Sequence, residues 1–238
     1  MRLPKISFLA TVLCLTFIPG AFADSVPPIT ATAGSDFFVD YNGFINNGAT
    51  VIQGLTGRAH YYNFAFQDGS ITGHSGQTRV NFKIDLTNNS SSPITGSRIS
   101  GLDFDTTPNI ASSGNTVSGV FDTVVTSGNA NLPNVGHVEL CFTDVNCAGG
   151  GSGGITQGNT GSLSLNLYFV GSNLNSVTFD GLFDRYQSIS GPCSGCGGSA
   201  SGAVVGAVVP EPSQIPTLLV FSSGLLLFAG QRMSRSRK

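Results

Sequence analysis

This sequence predicts an all-β fold, an antiparallel two-sheet β-sandwich or its jelly-roll variant, and three observations predict it. Apolar and polar residues alternate at period two over long stretches. Clusters of Gly, Ser, Asn and Pro punctuate the intervals between those stretches. No window of the body carries an amphipathic helical repeat. The alternation is cleanest twice. Val80, Phe82, Ile84 and Leu86 lie against Arg79, Asn81, Lys83 and Asp85, and Leu163, Leu165, Leu167 and Phe169 lie against Ser162, Ser164, Asn166 and Tyr168. Residues two apart share one face of a strand, so each run is a half-buried strand.

The elements follow in chain order. Arg2 and Lys5 precede an apolar run over 6–17. Pro19-Gly20 breaks it, and Ala21-Phe22-Ala23 supplies small residues, so a secretory signal peptide is expected over 1–23 with cleavage after Ala23. The exported domain is then expected over 24–190. Its candidate strands are 35–41, 49–55, 58–67, 78–86, 99–104, 117–125, 135–142, 162–169 and 177–183. Turn clusters at Asp68-Gly69, 88–93, 112–115 and 148–154 separate several of them. Over 191–208 the chain becomes Gly, Ser, Ala and Val, which reads as a flexible linker.

Charge narrows the partners. The body keeps only Arg58, Arg79, Lys83, Arg98 and Arg185, but holds all of the chain's 13 Asp and Glu except Glu211. A near-neutral chain thus hides an acidic domain between two basic ends. Nucleic acid is excluded as a partner because phosphate binding needs a basic patch.

Chemistry-bearing residues are few. Cys14 leaves with the signal peptide. Cys141, Cys147, Cys193 and Cys196 remain, an even set in an exported domain, and therefore disulfide candidates. Three pairings are open, with the local one, Cys141 with Cys147 and Cys193 with Cys196, favoured by the short loops. A four-thiolate zinc site is disfavoured by the wide 141/147 spacing, and a redox dithiol by the lack of a helix N-terminus. No cofactor is expected. Asp103 and Asp105, two apart on one strand face, are weak Ca²⁺ candidates with loop oxygens such as that of Asn109; a solvated acidic edge is the plainer reading. Asp36, Asp40, Asp180 and Asp184 are read the same way.

The glycine run 149–154 spells both a hydrolase elbow and a dinucleotide loop, but no helix follows it, so both matches are discarded. His60, His74 and His137 are scattered and read as satisfied strand or loop histidines. Asn88 and Asn89 open sequons that mark an exposed loop. Tyr61, Tyr62, Tyr168 and Tyr186 are candidates for a sugar platform, with cross-strand packing as the ordinary alternative.

The C-terminal segment 209–238 has three parts. Val209-Pro210-Glu211-Pro212 presents a carboxylate between two residues of fixed φ. An uncharged apolar stretch, 215–230, follows, and Arg232, Arg235, Arg237 and Lys238 close the chain. Basic flanks favour the cytoplasmic side of a bilayer. The apolar stretch is shorter than the roughly 20 residues of a permanent span, and Pro216 falls in its first helical turn. These parts, in this order, resemble the PEP-CTERM sorting signal of bacterial exported proteins. The resemblance implies a single C-terminal transmembrane sorting helix and processing by signal peptidase and a membrane-embedded exosortase. It also implies passage through the inner membrane to the cell surface or extracellular matrix, in association with exopolysaccharide or biofilm. Residues 138–142, the glycine run and 183–189 also resemble, more faintly, the cistern family of such proteins. Two functions follow as expectations: a non-catalytic surface or matrix protein that binds polysaccharide, or a secreted hydrolase of matrix polysaccharide. The second needs paired carboxylates or a triad, and the sequence supplies no supported constellation.

Overall fold

The computed structural model describes residues 27–67, 72–126, 129–149 and 151–208. The signal peptide with Ala23, the sorting motif Val209–Pro212, the apolar stretch and the basic residues Arg232, Arg235, Arg237 and Lys238 lie outside the described residues. What is described is all-β, in fourteen strands: β1 (Ile29–Thr32), β2 (Phe37–Ile45), β3 (Thr50–Gln67), β4 (Gln77–Asn88), β5 (Gly96–Thr107), β6 (Thr116–Gly119), β7 (Thr123–Thr126), β8 (Asn131–Leu132), β9 (Gly136–His137), β10 (Leu140–Thr143), β11 (Ile155–Thr156), β12 (Thr160–Val170), β13 (Ser176–Ser190) and β14 (Ser199–Val208).

Twelve of them form one antiparallel sheet in the order β6-β12-β4-β3-β2-β14-β13-β5-β10-β7, with β1 on β13 and β11 on β5; β8 and β9 make a separate hairpin. Two facts require this sheet to curl back on itself. Its end strands, β6 and β7, are consecutive in sequence, joined only by Val120, Phe121 and Asp122. A link that short spans at most about 14 Å, whereas ten flat strands spaced about 4.8 Å apart would stretch some three times as far. The second fact is aromatic packing. Phe82 on β4 and Phe179 on β13 are four strand positions apart, yet their ring centroids lie 5.7 Å from each other. The walls therefore face each other across a core. The result is one nearly closed, barrel-like antiparallel sheet.

Phe37, Tyr61, Phe64, Phe82, Phe104 and Phe179 form the centre of this core, with ring separations from 4.7 to 6.5 Å. The clean period-two runs supply its walls: Val80, Phe82, Ile84 and Leu86, with Leu163, Leu165, Leu167 and Phe169, are all buried. Burying one such side chain contributes about 1.5–3 kcal/mol.

Several expectations are corrected. Candidates 49–55 and 58–67 are one strand, β3, because its pairing with β2 resumes across a register shift at which Gly54 takes a left-handed φ of 79°. Candidate 117–125 is not one strand but the two end strands of the sheet. The largest correction is the linker. Residues 199–208 are a strand, β14, inserted between β2 and β13 in the middle of the sheet. Composition misled here because small residues are what this position demands. A Cβ at Gly202 would overlap the Asp184 carboxylate, and Ala200, Ser201 and Gly202 are all buried. Gly in a strand marks close approach as well as flexibility.

Candidate functional site

The outward faces of β2, β3, β4 and β12 line up in rows. Phe38 pairs with His60, His60 with Asp85, and Asp85 with Ser162. The neighbouring row runs Asp40, Arg58, Thr87, Thr160, and on the other side Tyr62 faces Lys83 and Ser164. These side chains point outward because their chain neighbours, Phe37, Val39, Ala59, Tyr61, Ile84 and Leu86, are buried inside.

Three rings stack along this face. Phe38 and His60 lie 4.1 Å apart at an interplanar angle of 11°, and His60 and Tyr62 lie 4.6 Å apart at 20°. The Arg58 guanidinium sits 4.6 Å from the Phe38 centroid and 3.5 Å from Asp40, while His60 Nε2 bonds Asp36 Oδ1 at 2.8 Å. Each contact consumes a ring face. Phe38 and His60 both have two stacking neighbours; among the described residues Tyr62 has one, so it keeps a face to offer. Tyr62 stands at a β-bulge, where the pairing shifts between Tyr62 and Ala65 and Asn63 takes a left-handed φ of 60°. Asn tolerates that conformation, and bulges re-aim side chains. Partial burial, and then the Asp85 carboxylate beside it, push the Tyr62 hydroxyl above its ordinary range, so it stays a donor at neutral pH. The strip thus offers one open aromatic face, flanked by the carboxylates Asp36, Asp40 and Asp85 and the cations Arg58 and Lys83. Chemically, that combination can stack on an apolar sugar face and exchange hydrogen bonds with hydroxyls. Ser162 donates to Asp85 at 2.6 Å, while His60 is engaged with Asp36, so these two side chains are not joined in a proton relay.

The other sequence candidates scatter. Tyr61 and Tyr186 are fully buried, and Tyr168 is buried with its ring 3.7 Å from that of His74, so of the four proposed platform tyrosines only Tyr62 reaches the surface strip. Period two explains the split, since Tyr61 and Tyr62 are adjacent and must face opposite ways. His74 Nδ1 bonds Gln77 at 2.9 Å, and His137 is exposed in the β8–β9 hairpin. Asn88 is fully buried and donates to the Ile155 carbonyl, so this sequon position is not the exposed loop expected; Asn89 beside it is exposed.

Asp103 and Asp105 do share a strand face, but the solvated-edge reading fails, because Asp103 is fully buried and Asp105 is half-buried. Asp105 accepts the Glu139 N–H at 2.6 Å; Glu139 in turn accepts from Thr106 N, Thr106 Oγ1 and Ile110 N. Burial first, and then the Glu139 and Asp180 carboxylates, raise the Asp105 carboxyl, while the Glu139 N–H opposes them. Asp103 is fully buried beneath a covering segment. That segment, 129–149 with 151–154, runs through β10, which pairs with β5, and its flanking loop lies over β5 and β13. It carries the β8–β9 hairpin and the Cys141–Cys147 disulfide, whose Cα atoms are 6.0 Å apart; Cys193 and Cys196 are also bonded, at 5.7 Å. The glycine run has a structural task here. The Gly153 carbonyl accepts from Arg98 Nη1, and the Ala148 carbonyl accepts from Arg185 Nε at 3.2 Å. Two of the five body cations are therefore tied down by the loop whose spelling mimicked catalytic motifs.

Asp184, read from the sequence as a solvated acidic residue, is instead a second fully buried carboxyl. Asp184 points into the barrel interior beside Tyr186 and Gly57, near the Tyr41–Tyr61 hydroxyl pair (3.2 Å). Neither Asp184 oxygen has a hydrogen-bond partner of good geometry. Burial pushes its carboxyl up to about 8, against a smaller opposing pull from the Tyr186 hydroxyl. The same burial raises Tyr41, Tyr61 and Tyr186. No family model, no curated protein and no solved structure matches this chain.

Proposed function

We propose that this chain is a non-catalytic exported protein of the cell surface or extracellular matrix, delivered by a PEP-CTERM signal and an exosortase, whose body contacts exopolysaccharide. In this reading the curled sheet serves as a flattened two-layer sandwich, bracketed by a cleaved signal peptide and a transmembrane sorting helix. The observation that carries the binding half is the Phe38–His60–Tyr62 stack on an outward face, ending in the half-free Tyr62 ring. Stacking on an open aromatic face is tolerant of sugar identity, as suits a heterogeneous matrix polymer. Local disulfides and the acidic body support an oxidising, extracytoplasmic setting.

The binding test is co-sedimentation of purified protein with the exopolysaccharide of the producing cell. Tyr62→Ala is expected to lose roughly tenfold or more in affinity, the low end of what a buried aromatic contact contributes, with the melting temperature unchanged. Equal binding by the variant would remove the strip from the reading. The sorting half is tested separately. Glu211→Gln keeps the apolar stretch and basic tail, so simple partitioning predicts no change, whereas a processing enzyme that grips the motif predicts full-length protein held in the inner membrane. Blots of membrane and secreted fractions distinguish the two; identical fractionation of variant and wild type would leave a plain tail anchor.

A further inference from the structure

On the covered face a buried carboxylate, Asp103, stands without an evident task beside the Cys141–Cys147 disulfide. Asp103 on β5 lies directly across from Cys141 on β10. One ligand atom from each of Asp103, Cys141 and Cys147 lies within 4.8 Å of the other two, and all three residues are buried. Both carboxylate oxygens of Asp103 lack a hydrogen-bond partner. A fully buried carboxylate with no donor is costly, and aspartate is a poor choice for mere filling there. Arg185, from the neighbouring strand, is the nearest opposite charge that acts on it, but its Nε is spent on the Ala148 carbonyl.

We propose that Asp103, Cys141 and Cys147 form a divalent-metal site of the zinc class that exists when the Cys141–Cys147 disulfide is reduced and is abolished when it forms. The donor set is right for a borderline-soft ion: two thiolates and one carboxylate, with bond lengths of about 2.3 Å to sulfur and 2.0–2.2 Å to oxygen. Three such donors around one tetrahedral ion lie roughly 3.5–3.8 Å apart; reduction lets the two bonded sulfurs separate to that distance, and Asp103 already lies within 4.8 Å of both. Charge also balances: two thiolates, one carboxylate, the Arg185 guanidinium and a divalent ion sum to zero, which a dry site requires. In the reducing step a dithiol donates two electrons and two protons to the disulfide and is itself oxidised to a disulfide. The two Cys thiols then release their protons to solvent as the metal enters. Protein newly translocated and still reduced would take the ion first; thiol–disulfide exchange with a disulfide oxidant, which accepts the two electrons and leaves as a dithiol, would then form Cys141–Cys147 and release the ion. The four-cysteine zinc site considered from the sequence is a different arrangement; here Asp103 replaces the second cysteine pair, Cys193 and Cys196.

The experiment uses the full-length chain in detergent, carrying Cys14→Ser, Cys193→Ser and Cys196→Ser so that one pair remains. Zn²⁺ uptake is measured by competition with a chromophoric chelator, before and after reduction with a phosphine, and Co²⁺ is used as a spectroscopic probe. The expected result is one Zn²⁺ per reduced chain, none per oxidised chain, and a Co²⁺ spectrum showing thiolate charge transfer and tetrahedral geometry. Asp103→Asn, nearly isosteric, should weaken Zn²⁺ binding by at least the roughly 10–100-fold that even an outer partner contributes. Should that variant misfold, the wild-type Co²⁺ spectrum still decides, because an octahedral spectrum without thiolate bands contradicts the site. Reduced protein that takes up no metal, or Asp103→Asn that binds as tightly, overturns the proposal.

Discussion

Strands β4 and β5 are both twelve residues long and both lie inside the same sheet, yet their outward faces differ completely. Along β4 buried and partly exposed residues alternate, so Arg79, Asn81, Lys83 and Asp85 meet solvent or the aromatic strip. Along β5 the eight residues from Ser97 to Phe104 are all buried, and the loop on either side of residue 150 ties to Arg98 on this strand and to Arg185 on β13. The open wall carries the Phe38–His60–Tyr62 strip. The covered wall carries the protein's buried polar chemistry: Arg98, Arg185, Asp103 and a disulfide. Covering a β-face converts surface charges into groups that must find partners; Arg98 and Arg185 find loop carbonyls, and Asp103 finds no donor.

The two walls share an interior, and the largest expected effects lie there. Asp184 is protonated in the folded protein up to a pH of about 8, but ionises in the unfolded chain near the ordinary carboxyl value of 3.8. Between those values the folded state holds one more proton than the unfolded state, so stability falls as pH rises through that window and is flat above it. The gap corresponds to a loss on the order of 5 kcal/mol across the window. Asp184→Asn cannot ionise. The difference in melting temperature between variant and wild type should therefore widen steadily from about pH 4 to about pH 8 in the variant's favour. A constant difference would show that Asp184 is ionised in the fold. Next in size is Gly202→Ala. The added methyl would overlap the Asp184 carboxylate and lie 2.8 Å from Tyr186 Cε2. A loss of about 3 kcal/mol is expected, at the upper end of overpacking costs, read from denaturant midpoints. A change under about 0.5 kcal/mol would mean that β14 does not press against β13 there.

These two sites also mark where the sequence stopped being legible. The open wall was readable from Val80 to Leu86 and from Leu163 to Phe169, because one wet face leaves a period-two signature. Strand β5 was only a weak candidate, since Arg98, Asp103 and Asp105 look like surface residues, and nothing local says that a later segment will cover them. Strand β14 was misread for the converse reason: its Gly and Ala residues fit a crowded site whose other half, Asp184, is fixed only by the fold. Of the candidate strip, Tyr62 was named from sequence, while Phe38 was not singled out and His60 was read as a satisfied strand histidine. Their stacking depends on the β2–β3 register, which no single run encodes.

The smallest effects test the contrast between the walls most directly, through one cation on each. Arg98 and Lys83 both project outward from interior strands of the same sheet. Arg98 is buried, donates to the Gly153 carbonyl and to Gln187 Oε1 at 2.8 Å, and so pins the glycine run to β5 and β13. Arg98→Ala removes two charge-assisted donors and leaves their acceptors under cover, which should cost about 2 kcal/mol. Lys83 is exposed beside Tyr62 and Ser164, and Lys83→Ala should stay within about 0.5 kcal/mol. The two variants should differ in kind as well as in size. Losing Arg98 frees the cover, so limited proteolysis should cut within 144–154 well below the global unfolding transition, while the Lys83 variant should be cut there no faster than wild type. Polysaccharide binding should show the reverse order, reduced for Lys83→Ala and kept for Arg98→Ala, because the cover is remote from the aromatic strip. If Arg98→Ala proves as silent as Lys83→Ala in both stability and proteolysis, the glycine run does not cover β5, and the distinction between an open and a covered wall fails.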